Sequence, residues 1–150
     1  MKSYFICFLT VGLLVICPLS YAETDNVAVV GTWKLISIDW VDSNGEVTRA
    51  DEWMGKNPIG VIIYDPIGYM SVQLMRNPKE KEAHERFYAY FGTYEVKGKE
   101  GLVSHHVQGG LWLSEVGVTL ERKFKISGNR LMITTPHLRR LTFERVEKVK

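Results

Sequence analysis

The sequence predicts an all-β domain, an eight-stranded antiparallel up-and-down barrel with one short helix. Three observations carry this expectation. From Gly31 onward, short runs rich in Val, Ile, Tyr, Phe, Trp and Thr follow one another, each ended by a turn signal. Within the clearest runs, apolar and polar residues alternate with a period of two. The separators are short enough to join antiparallel neighbours.

Ahead of the runs stands a segment of different character. Lys2 is followed by an apolar stretch from Phe5 through Ile16, then by the small residues Ser20 and Ala22 before the acidic Glu23. This is the layout of a secretory signal peptide, so residues 1–22 are expected to be removed and residues 23–150 to form the domain, in the periplasm or secreted. The stretch is shorter than the roughly 20 apolar residues that an uncleaved anchor needs, and no stable membrane anchor is expected. Lipoprotein processing at Cys17 is disfavoured by the bulky Ile16 before it and Pro18 after it. Cys7 and Cys17 both fall inside the leader, which leaves the mature domain without a disulfide, a thiolate zinc site or a cysteine nucleophile.

Loss of the leader takes Lys2 with it, so the formal charge falls from +2 to +1. Charges of both signs are interspersed and no basic face emerges, which argues against a nucleic-acid partner. The domain of 128 residues left from 150 suffices for one core and is too short for two.

The expected strands are residues 31–41, 59–65, 69–76, 89–97, 102–109, 117–126, 130–135 and 139–147. Asp42-Ser43-Asn44-Gly45, Asp65-Pro66-Ile67-Gly68, Lys97-Gly98-Lys99-Glu100-Gly101 and Ser127-Gly128-Asn129 supply the residues that tight or left-handed turns require. A helix is expected over 79–86, with Asn77 as cap, Pro78 in the first position and Glu80 three residues after the cap. Its charge suits a solvated cover over one barrel end; a lid role would need Phe87 and Tyr88 to face the lumen.

Alternation then assigns faces. The run from Val118 places Val118, Leu120, Arg122, Phe124 and Ile126 inward, against Thr119, Glu121, Lys123 and Lys125. Tyr90, Gly92, Tyr94 and Val96 share an inner face, as do Leu141, Phe143 and Arg145. A barrel of eight strands either fills with its own side chains or holds one small ligand.

Gly31-Thr32-Trp33 opens the first strand with a Gly-x-Trp signature. Together with Tyr69-Met70-Ser71-Val72-Gln73-Leu74-Met75, Tyr90-Phe91-Gly92-Thr93-Tyr94 and Ser104-His105-His106-Val107, it resembles the lipocalin-like domain family of bacteria and fungi, a calycin-type barrel. The resemblance covers nearly the whole mature chain. It implies a barrel that holds a small hydrophobic or amphipathic molecule, with Trp33 closing one end beneath Arg145 from the last strand. That pair is structural and lies outside the ligand site. Asp51-Glu52-Trp53-Met54 and Leu111-Trp112-Leu113 depart from the family pattern, and rim loops are where ligand choice is made.

Candidate chemistry is sparse. His105 and His106 point to opposite faces of a strand and cannot share an ion; no metal site is expected. No Gly-x-Ser-x-Gly, P-loop or dinucleotide fingerprint occurs, and no cofactor is expected. If Val96 pairs with Val103, Tyr94 opposes His105 and both tips enter the lumen, to bind a polar group or transfer a proton; the alternative is a hydrogen-bonded core histidine with no further role. A slip of one residue would substitute His106. Arg122 on an apolar face must meet a carboxylate, either Asp39, on the face of Trp33, Leu35 and Ser37, or an acidic ligand. Trp53, Met54, Leu111, Trp112 and Leu113 form either the rim of a mouth or a plug, and Gly109-Gly110 would let the second of these loops bend inward.

The expected ligand contacts are therefore Arg122, Tyr94, His105, Tyr90, Gln73, Asp39, Phe124, Leu120 and Trp112. A ligand tail would lie among Leu35, Ile63, Leu120, Phe124 and Phe143. The alternatives are a cofactor-free isomerase or cyclase, using His105 or Tyr94 as acid or base, and a closed barrel without ligand. Oligomeric state is not legible.

Overall fold

A computed structural model describes residues 28–80 and 86–147. The leader expected at 1–22 lies outside the described residues. Among the described residues nine strands follow one another: β1 (Gly31–Val41), β2 (Val47–Ala50), β3 (Ile59–Tyr64), β4 (Tyr69–Met75), β5 (Phe87–Lys97), β6 (Leu102–Gly110), β7 (Thr119–Ser127), β8 (Arg130–Thr134) and β9 (Arg139–Arg145). From β3 to β9 each strand pairs antiparallel with the next, and β9 returns to β1 to close the ring. The result is a closed eight-stranded up-and-down barrel in which β2 is a short addition. β2 pairs with the end of β1, on the edge whose beginning pairs with β3. All four β2 residues are exposed, so it lacks the apolar pattern by which the other strands are recognised.

The turns match their chemistry. Asp65 accepts the Ile67 amide at 2.9 Å, and Gly68 closes the turn at φ 95°. At the expected helix, Asn77 accepts the Lys79 amide at 3.0 Å and residues 78–79 form a turn. Residues 81–85 lie outside the described residues. Glu80 reaches across to accept the Asn57 amide at 2.7 Å, which ties this connection to the loop before β3.

One barrel end is closed by Trp33, which is fully buried and donates its indole N–H to the Val29 carbonyl at 2.7 Å. Arg145, its partner in the β1–β9 register, lies over the ring with the guanidinium carbon 3.9 Å from the centroid. Its two terminal nitrogens donate to the carbonyls of Val30 and Ala28 at 2.7 and 2.8 Å. Gly31 permits this, because a Cβ there would stand 2.8 Å from the Arg145 Nη1. Leu35, Tyr64, Met70, Val103 and Leu131 fill the barrel above this plug.

Two irregularities set which side chains turn inward. The β1–β9 register shifts between Leu35 and Ser37, a β-bulge that leaves Ile36 exposed and turns Ile38 into the barrel. A second shift falls between Phe91 and Gly92, where a Cβ on Gly92 would stand 1.9 Å from the His106 carbonyl oxygen. Only glycine allows β5 and β6 to approach so closely there.

Candidate functional site

Alternate side chains of the eight strands converge on one interior, and toward the end opposite Trp33 they do not fill it. A cavity of about 560 Å³ remains, well above the roughly 300 Å³ that small-ligand pockets require. Its walls are apolar: Ile38 from β1, Ile62 from β3, Val72 and Leu74 from β4, Ile133 from β8 and Phe143 from β9.

Three loops build the rim. Asp51 caps the 3-10 turn Glu52–Met54 by accepting the Trp53 amide at 2.9 Å, and its other oxygen pairs with Arg139. The Arg139 guanidinium lies 5.4 Å from the Trp53 ring centroid and 4.7 Å from that of Trp40, so one side chain anchors the loop and holds the indole beside the opening. Trp53, Tyr88 and Trp112 then meet edge to face, with centroids 5.0 to 6.2 Å apart. On the other side β8 stops at Thr134, opposite Lys123, so Thr119–Arg122 of β7 have no strand beside them there. Thr135, Pro136 and His137 border the cavity across this gap.

The polar end of the cavity is a connected cluster. His105, 1% exposed, bonds through Nε2 to the Tyr64 hydroxyl at 2.8 Å and through Nδ1 to the Tyr90 hydroxyl at 2.7 Å. Burial first, then the charges of Arg122 and His106, push its pKa down to about 3, so the ring is neutral at physiological pH, with one nitrogen donating and the other accepting. Burial raises the Tyr64, Tyr88 and Tyr90 hydroxyls above the ordinary phenol value, keeping all three protonated; the positive charge of Arg122 partly offsets this. Tyr88 donates to the Glu115 carboxylate at 2.9 Å.

Arg122 projects from the inner face of β7 into this cluster and lines the cavity. Its guanidinium donates to the Glu121 carbonyl at 3.0 Å. Among the described residues no carboxylate stands within ion-pair distance of it. A half-buried cation facing an apolar-walled space, with donors to spare, has the chemistry to hold an anionic group.

A family model of the lipocalin-like domain matches residues 30–148. The chain belongs to the lipocalin-like domain family. Among curated proteins none matches it. The fold is thus the one that the sequence predicts, and the lipocalin-like barrel places its candidate residues as follows.

Arg122, His105, Tyr90, Leu120 and Trp112 all line the cavity of the lipocalin-like barrel. The β5–β6 register pairs Tyr94 with His105, which turns His105 inward and leaves His106 outside, 3.9 Å from Glu95. Four placements differ from expectation. Asp39 does not line the cavity: the bulge after Leu35 reverses the alternation, and its carboxylate accepts the Ser37 hydroxyl at 2.7 Å. Gln73 is exposed, because Met70, Val72 and Leu74 take the inner positions of β4. Tyr94 keeps its inner face but sits at the closed end, stacked edge-on to Tyr64 at 4.8 Å and donating to the Asp65 carbonyl at 2.9 Å, out of reach of the cavity. Phe124 packs on the core below the cavity without lining it.

Smaller readings shift as well. Ile63 is exposed and Ile62 takes its place inside, since β1 pairs Trp33 with Ile62. Leu35 belongs to the core below the cavity. Trp53 and Trp112 are rim, Met54 is fully buried, and Leu111 and Leu113 face solvent. Gly109 and Gly110 belong to β6, and a Cβ on either would crowd Phe91 or Tyr90. Tyr88 lines the cavity while its neighbour Phe87 is exposed. Glu115, Ile38 and Arg139 were not anticipated, since Ile38 depends on a bulge, Glu115 on a loop and Arg139 on its pairing with the Asp51 loop.

Proposed function

We propose that this lipocalin-like protein is exported and carries a small amphipathic molecule with an acidic head group. The observation that supports it is Arg122, a guanidinium with no carboxylate partner among the described residues, at the polar end of a cavity of about 560 Å³ walled by aliphatic and aromatic side chains. An apolar tail gains by burial among Ile62, Val72, Leu74 and Phe143, and the head gains a charge-assisted contact. Export rests on the apolar segment from Phe5 to Ile16 and the small residues Ser20 and Ala22.

Native mass spectrometry of protein taken from the exported fraction tests both parts. The chain should begin at Glu23 and carry a small acidic molecule, and the emptied protein should bind dodecanoate more tightly than dodecanol. Equal affinities, or none for either, would reject the carrier reading.

The isomerase reading finds less support. His105 is neutral, but both of its ring nitrogens are engaged by phenols, which leaves it no free nitrogen to take a proton from a bound molecule.

A further inference from the structure

The cluster behind Arg122 has a direction. His105 bridges two phenols, and a neutral imidazole donates from one nitrogen and accepts at the other. One tyrosine must therefore give its hydroxyl hydrogen to the ring, while the other receives the ring's hydrogen and must place its own elsewhere. The two tyrosines differ in what they face. Tyr64 is 1% exposed, does not line the cavity, and has His105 Nε2 as its hydrogen-bond partner. Were Tyr64 to accept from the ring, its own hydrogen would be stranded in a dry core packed against Tyr94. Tyr90 lines the cavity, where a ligand or water can accept. Gly110 is part of this placement, because a Cβ there would stand 2.9 Å from the Cβ of Tyr90.

We propose that Tyr64 donates to His105 Nε2 and His105 donates from Nδ1 to Tyr90, so that the Tyr90 hydroxyl turns its hydrogen into the cavity as a second donor, with Arg122, for a ligand carboxylate. This rests on the carrier reading above and adds the recognition chemistry. Arg122 supplies charge; Tyr90 supplies a hydrogen bond whose direction is set by His105, a histidine whose two ring nitrogens are both taken by tyrosines. His105 is in this sense a positioning residue, and the site favours carboxylates over alcohols through two groups on different strands, β5 and β7.

Two measurements on the full-length mature protein test it. Nitrogen-15 NMR of histidine-labelled protein should show His105 protonated at Nδ1 and unprotonated at Nε2; the reverse tautomer overturns the proposal without any substitution being made. Calorimetric titration should then show Tyr90→Phe weakening dodecanoate about tenfold and dodecanol less than about threefold. Failure of the wild-type protein to bind dodecanoate would remove the carrier reading and this site with it. Tight dodecanoate binding that Tyr90→Phe leaves unchanged, or an equal loss for acid and alcohol, would remove the Tyr90 assignment alone.

Discussion

Trp33 and Arg145 face each other across the seam where β1 meets β9, the guanidinium carbon 3.9 Å from the indole centroid. The same guanidinium holds the carbonyls of Ala28 and Val30, so it both covers the plug and pins the chain that leads into the barrel. Arg145→Leu should lower the unfolding free energy by about 2 kcal/mol, from the loss of the cation–π contact and of charged hydrogen bonds. Arg145→Lys should recover only part, since an ammonium cannot span two carbonyls and a ring as a planar fork does. Urea unfolding followed by tryptophan fluorescence measures both.

His105 makes stability pH-dependent in a specific window. Its folded pKa is lowered from the ordinary 6.5 to about 3, so between those values the unfolded chain binds a proton that the folded chain refuses. Stability therefore falls as pH drops through this window and is fully present above it, with a slope of at most about 1.4 kcal/mol per pH unit. Urea titrations at pH 7, 6, 5 and 4 should show the slope, and His105→Gln should flatten it. An unchanged slope in that variant would assign the effect to other groups.

Arg122 is expected to contribute to binding and not to stability. Arg122→Leu should weaken an acidic ligand by about ten- to a hundredfold, the worth of a charge-assisted contact. Its unfolding free energy should stay level or rise, because the side chain forms no ion pair among the described residues and sits half-buried beside apolar walls. A marked loss of stability would mean that Arg122 has an internal role.

Gly92 tests the bulge. An alanine Cβ would stand 1.9 Å from the His106 carbonyl oxygen, a backbone atom that cannot swing aside. Gly92→Ala should cost about 3 kcal/mol, whereas Gly45→Ala, with open space and only a φ of 85° against it, should cost about 1 kcal/mol. Thermal unfolding of the two variants compares them directly.

The strands whose two faces differ in polarity were readable one by one. Along β7, Leu120, Arg122, Phe124 and Ile126 are half-buried and Thr119, Glu121, Lys123 and Lys125 exposed, as the alternation requires. The faces of β3 were not, because Val61, Ile62 and Ile63 are apolar at both parities. There the identity of the inner residue follows from the pairing of Trp33 with Ile62. β2 escaped notice because none of its residues is buried.

Periodicity and turn chemistry were enough for the eight barrel strands, their antiparallel order, their turns and the inward aim of Arg122, since these depend on which side of a strand a residue occupies and on residues close in the chain; the choice between His105 and His106 waited on the register that pairs Tyr94 with His105. The cavity, the partners of His105 and the rim were settled by folding. Bulges at Ile36 of β1 and Gln108 of β6 shift the inward count of those strands by one, and the contacts among Tyr64, Tyr90, His105 and Arg122 join four different strands. Periodicity reports the face of a residue along its own strand, while the neighbour it meets across the lumen depends on how the strands are staggered when the ring closes.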